Sequence, residues 1–223
     1  MDWSQPIDLY CERTDATFWS EPANAISNLA FLIAAAAAFV RWRRGDRGDW
    51  PALALIGIVT AVGIGSFTFH TVATRGAVLA DVVPIAVFIY GYLLLALRRF
   101  LGLPCLAAGA IVLAYAAAAQ GLSGLAPPRF LNGSVGYLPA LAALIAVAAI
   151  AKEEGVRRGL ALAALLFAIS LALRTADLAL CTAFPLGTHF AWHILNAVVL
   201  YVLLRTAMAA RPVVSLSPRR GSG

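Results

Sequence analysis

The stretch LGTHFAWHILNAVVLYVLLRTAM, residues 186–208, decides the fold. Roughly 20 mostly apolar residues cross the ~30 Å of hydrocarbon in a bilayer, and this run is long enough to do so as one helix. It also holds two of the chain's three histidines, His189 and His193, one helical turn apart. Six further runs of the same kind lie near residues 22–42, 51–73, 76–97, 101–120, 131–151 and 157–178. A chain that is 61% hydrophobic and 13% charged, with a mean hydropathy of +0.84, is not a water-soluble domain. The expected fold class is an all-α membrane protein, a seven-transmembrane helix bundle. One domain then fills residues 1–211, and residues 212–223 read as a disordered cytoplasmic tail.

The loops give the orientation. RWRRGDRGD (41–49), RRF (98–100), KEEGVRR (152–158) and the tail RPVVSLSPRRGSG fall on one side of a seven-span chain, which the positive-inside rule makes cytoplasmic. The other side receives Asp2, Asp8, Glu12, Asp15 and Glu21, with loops almost free of charge apart from Arg75 and Arg129. The N-terminus is therefore expected outside and the C-terminus inside. MDWSQPIDLYCERTD lacks a basic and an apolar region, so the first span is expected to insert uncleaved. The net charge of +6 is spread between helices rather than gathered into a stripe, which argues for topology and against a nucleic-acid partner. Short loops and alanine-rich spans read as bacterial, placing the chain in an inner membrane.

Local signals mark the scaffold. SEPANAISN (20–28) offers Ser20 as a helix cap, Glu21 at the positive dipole end and Pro22 in the first turn. Alanine runs at 34–38, 116–119 and 141–151 allow close helix packing in lipid. GLSGLAPPRFLNGSVG (121–136) reads as an irregular loop. Cys105 reads as a buried apolar filler, Phe190 and Trp192 as interfacial packing, and Asp177 as the partner of Arg174 three residues earlier.

Ionisable groups inside spans cost roughly 2.5 to 3.5 kcal/mol each near a helix centre, so each is a functional candidate. They are His70, Asp81, Arg174, Asp177, His189 and His193, and all fall in the outer half of the bundle. His189 and His193 share a helix face, as do Ser66 and His70 on another helix. Three neutral imidazoles with one open position form the ligand set of a catalytic zinc, and Asp81 is placed to act as base or positioner beside it. Two plainer readings stay open on the residues alone: a histidine near a helix end that only hydrogen-bonds at the interface, and Ser66 as a small packing residue.

Four blocks carry a family likeness: YCER (10–13) followed by SEPANAISN, GIGSFTFH (63–70) with Asp81 eleven residues after His70, RTADLALC (174–181), and HFAWH (189–193). Together the chain resembles the alkaline ceramidase family, within a superfamily of seven-helix membrane hydrolases that includes the progestin and adipoQ receptors. The resemblance implies zinc on His70, His189 and His193, with Ser66 and Asp81 as the catalytic serine and aspartate. It implies amide hydrolysis of ceramide, a sphingoid base carrying an N-linked acyl chain. It also implies calcium near the N-terminus, with Glu12 and Glu21 as ligands and Asp8, Tyr10 and Asp15 as contributors, although DLYCERTD and the shortened segment before Glu21 depart from the family's pattern. The family's cysteine pair falls on Cys11 and Cys181, both on the outer side, where disulfides are permitted.

Other classes fit less well. A b-type haem needs axial ligands on opposite faces, which two histidines on one helical turn cannot supply. A retinal protein needs a lysine in the last helix, and the only lysine is Lys152. A lipid-binding receptor that keeps the metal without turnover remains the alternative, as does hydrolysis of another N-acyl lipid, because a fold does not fix a function.

Overall fold

The computed structural model describes residues 2–127 and 130–210, so the tail assigned to 212–223 lies outside the described residues. Among the described residues, seven helices are long and apolar enough to cross a membrane: Pro22–Arg44, Trp50–Val72, Arg75–Arg99, Cys105–Leu125, Phe130–Ile150, Glu154–Leu180 and His189–Ala209. The chain is an integral, multi-pass membrane protein. Hydrocarbon offers backbone groups no partner, so a spanning segment must satisfy them within itself, and the helix does this. Among the described residues there is no strand, only an isolated bridge between Pro6 and Thr74.

The ends of the helices are set by individual residues. Asp49 caps the second span by accepting from Ala52 N at 3.1 Å. Ala73 ends that span with a left-handed φ of 47°, and Thr74 caps the third by accepting from Ala77 N at 3.3 Å. Two residues thus turn the chain between the second and third spans. The first span breaks at Asn28, and the fifth opens with a 3-10 segment, Phe130–Tyr137, that contains left-handed Leu131, Asn132 and Gly133. The fourth span runs on to Leu125, through the glycines expected to form a loop.

Close packing follows the glycines. A Cβ on Gly159 of the sixth span would run into the Thr206 side chain of the seventh, and one on Gly65 of the second would run into the Ala80 carbonyl of the third. Phe31, Val59, Leu160 and Leu204 sit in the core between these helices. The fourth span is peripheral, with Leu106 90% exposed, as befits a lipid-facing side chain. Cys105, expected inside, is exposed at its first turn. Trp192, expected at the interface, is in fact buried against Phe167 and Tyr137.

The N-terminal segment folds over one end of the bundle. Ile7 N donates to Ala73 O at 2.8 Å, and Arg75 N donates to Gln5 O at 3.1 Å. A disulfide joins Cys11 to Cys181, with Cα atoms 5.2 Å apart. At the opposite end Arg99 grips Asp49 with two hydrogen bonds of 2.7 Å and donates to Ala207 O, tying the second, third and seventh spans.

Candidate metal centre and lipid cavity

His70 lies near the end of the second span and His189 and His193 in the first turns of the seventh, all under the N-terminal segment. All three are buried, and one ligand atom from each falls within 4.8 Å of the others. The seventh helix is started from outside. Asp177 Oδ1 accepts from Thr188 N at 2.7 Å and His189 N at 2.9 Å, and its Oδ2 accepts from Cys11 N at 3.0 Å. The carboxylate thus satisfies main-chain donors that a helix start leaves open. Gly187 permits the approach: its φ is +67°, and a Cβ there would strike that carboxylate. Asp177 is therefore a cap and not the partner expected for Arg174. Arg174 donates instead to Asn132 O, Ser134 Oγ and Tyr10 Oη, with Tyr137 and Trp192 rings beside it.

Hydrogen-bond partners fix the tautomers. Glu21 Oε2 lies 2.7 Å from His70 Nδ1, and a carboxylate can only accept, so His70 carries its proton on Nδ1. Ser27 Oγ donates to Asn24 O at 2.8 Å and lies 2.8 Å from His193 Nδ1, so its remaining lone pair accepts from that nitrogen. In the neutral form of either ring, the form that ligates a metal, this leaves Nε2 as the free nitrogen. His70 Nε2 is buried with no partner, and His193 Nε2 has only Ser66 Oγ, at 3.5 Å. His189 Nδ1 is likewise buried and unpartnered, and its ring stacks on Tyr10 at 3.5 Å between centroids. Buried polar atoms without partners are rare, and two imidazoles left this way beside a third with one long contact form a nitrogen donor set that suits a metal ion. Burial pushes the Tyr10 hydroxyl well above its ordinary value, so the ring stays neutral against the histidine.

The cluster opens onto a largely apolar cavity. Ser66, Asp81, Arg174, His189 and His193 line its end beneath the N-terminal segment, and Tyr92 and Leu203 line its depth. From His189 to Leu203 the helix rises about 21 Å. That exceeds the ~15 Å thickness of one leaflet's hydrocarbon, so the apolar lining runs deep into the span. Ser66 and Asp81 reach the same wall because Gly65 lets the second span rest on the backbone of the third at Ala80.

The acidic residues expected to hold calcium do not converge. Glu12 accepts from Ala23 N at 2.6 Å and Asn24 N at 2.8 Å, so it caps the first span, the role expected of Ser20. Burial raises the Glu12 carboxyl above its usual range, against those two amide bonds. Ser20 instead accepts from Thr14 N and Asp15 N. Asp15 binds Thr17 on the surface, Asp8 is exposed, and Tyr10 stacks on His189. Glu21 faces Arg13 at 2.5 Å as well as His70. Burial raises the Glu21 carboxyl, but the bonds from His70, Arg13 and Asn24 outweigh it and hold the group below the ordinary carboxylate range. Calcium needs six to eight oxygens gathered on one point, and here an arginine fills the centre, so calcium finds no support.

The family model described as Ceramidase matches residues 8–215. The chain belongs to the ceramidase family. No curated protein matches it. As a ceramidase-family protein it is a hydrolase acting on amide bonds, with a lipid substrate and a membrane setting, and its three buried histidines can hold a metal ion. Sequence reasoning missed Ser27, which orients His193, and the role of Asp177, which starts the seventh helix. Only the place of Ser27 in the polar stretch SEPANAISN hinted at a role.

Proposed function

We propose that this protein is a zinc-dependent amide hydrolase working within the membrane, cleaving ceramide or a related N-acyl lipid into a fatty acid and an amine. The observation that carries this reading is the meeting of three buried imidazoles with Ser66 and Asp81 at one end of a deep apolar cavity. His70, His189 and His193 would hold the ion. Bound there, zinc supplies Lewis-acid polarisation of the amide carbonyl and a nucleophile at neutral pH.

The chain's own groups do the rest. Glu21 and Ser27 keep protons on Nδ1 of His70 and His193, which fixes ring orientation and strengthens Nε2 as a donor. The cavity takes the acyl chain, which positions the amide at its outer end and excludes water from the remainder. Asp81 accepts a proton during attack and passes it to the leaving nitrogen. Ser66 Oγ–H donates to the oxygen on which charge develops. Arginine-rich helix ends opposite the cluster support an N-outside orientation, which puts the chemistry in the outer half of an inner membrane.

The test pairs elemental analysis with fatty-acid release from N-acyl lipids. His189→Ala or His193→Ala should lose both metal and activity. Asp81→Asn should keep the metal and lose about 10² to 10⁴-fold in turnover. Full activity in Asp81→Asn would remove the assigned proton path.

A further inference from the structure

We propose that Arg13 is a built-in cation that takes the place of a bound calcium ion, and that through Glu21 it positions the metal ligand His70, so that this protein is independent of calcium. The guanidinium is almost fully enclosed, 7% exposed. Its Nε donates to Glu21 Oε1 at 2.5 Å, one terminal nitrogen donates to the carbonyls of Asp15 at 3.0 Å and Thr17 at 3.4 Å, and the other donates to the carbonyl of His70 at 2.9 Å. One carboxylate and three main-chain carbonyls converging on a buried positive centre are the hard oxygen donors that a calcium ion would gather. Here they gather on a side chain, and the guanidinium leaves no room for an ion among them.

Three features make the arginine specific to this role. His70 O lies in the last turn of the second span, where carbonyls lack helical partners and the dipole favours a cation. Asp15 and Thr17 belong to the loop before the first span, so the same group fixes that loop against the bundle. Glu21 spans the gap, with one oxygen on Arg13 and the other on His70 Nδ1. Arg13 thus holds His70 at its backbone carbonyl and, by way of Glu21, at its ring. A planar fork with fixed donors does this where a flexible ammonium would not.

The experiment uses the full zinc-loaded chain, purified in detergent, and reads thermal unfolding in calcium-free buffer and in millimolar calcium, at constant zinc and with no chelator present, a readout that does not depend on the hydrolase reading. Wild type is expected to unfold at the same temperature in both. Arg13→Ala is expected to lose roughly 6 to 12 °C without calcium, since it leaves a buried carboxylate and orphaned carbonyls, and to recover part of that in calcium. The positioning role is read in cobalt-loaded protein. The absorption bands of the ion should shift in Arg13→Ala, with kcat lowered about 10-fold and KM unchanged. Arg13→Lys keeps the charge without the fork, should lie between the two, and carries the test if the alanine variant does not fold. A wild-type protein stabilised by calcium would overturn the proposal. So would an Arg13→Ala protein deaf to calcium with an unaltered cobalt spectrum, or an Arg13→Lys protein indistinguishable from wild type.

Discussion

Gly65→Ala adds one methyl group at the point where the second and third spans touch. The new Cβ would lie 2.7 Å from the Ala80 carbonyl carbon and closer still to its oxygen, both backbone atoms that cannot rotate away. The spans must part, and a displacement on the order of 1 Å is one at which positioned chemistry loses about 10²-fold. The three histidines stand on the second and seventh spans, whereas Asp81 stands on the third. The metal should therefore be kept while Asp81 is drawn away from it. Forcing a methyl into a packed contact should also cost about 1 to 3 kcal/mol of stability. Gly57→Ala is the control: it lies on the same helix with nothing within 4 Å of its Cβ, and should leave activity unchanged. Metal content, unfolding temperature and initial rates of fatty-acid release measure all three effects. Wild-type turnover in Gly65→Ala would refute the claim that this contact sets the distance between Asp81 and the metal.

Three further outcomes follow from the scaffold. Asp49→Asn should cost about 3 kcal/mol by breaking a nearly buried pair with Arg99, read as a drop in unfolding temperature. Burial works to raise the Asp49 carboxyl, but Arg99 and Ala52 N hold it below 3.8, so its stabilising effect is complete above that pH and drains away as pH falls through the lower folded value. Acid unfolding curves of wild type and variant should accordingly converge at the lowest pH and stay parallel above it. Thiol labelling of unfolded, unreduced protein should detect Cys105 alone, and labelling at all three cysteines would contradict the Cys11–Cys181 bond. Alkaline phosphatase fused after residue 210 should be inactive in a bacterial host, whereas activity there would place the C-terminus outside.

Much of the fold was legible because a bilayer is a severe solvent. Seven apolar runs could only be helices, and the observed spans begin and end within a few residues of those runs. The histidines were legible for the same reason, since a polar group in hydrocarbon needs a purpose. What sequence could not give was the partner of each polar group. Asp177 and Arg174 are three residues apart on one helix, an arrangement that suggests a pair, yet Asp177 turns to the seventh helix and Arg174 to the 3-10 segment that opens the fifth. Ser20 and Glu12 exchange the expected capping role because the N-terminal segment folds back, a long-range event with no local signature. Cys105 was placed inside on composition alone, although helix rotation decides which face meets lipid. Arg13 was read only as part of YCER, and its neighbours come from three separate stretches of chain.

With zinc held by His70, His189 and His193, the protein would hydrolyse an N-acyl lipid. The most direct measurement is fatty-acid release from a panel of ceramides and other N-acyl lipids by purified protein whose zinc content has been determined on the same sample. The account predicts one zinc per chain and release from at least one member of the panel, both lost in His193→Ala. Stoichiometric zinc with no release from any member would contradict it, and would leave a lipid-binding receptor that keeps the metal without turnover.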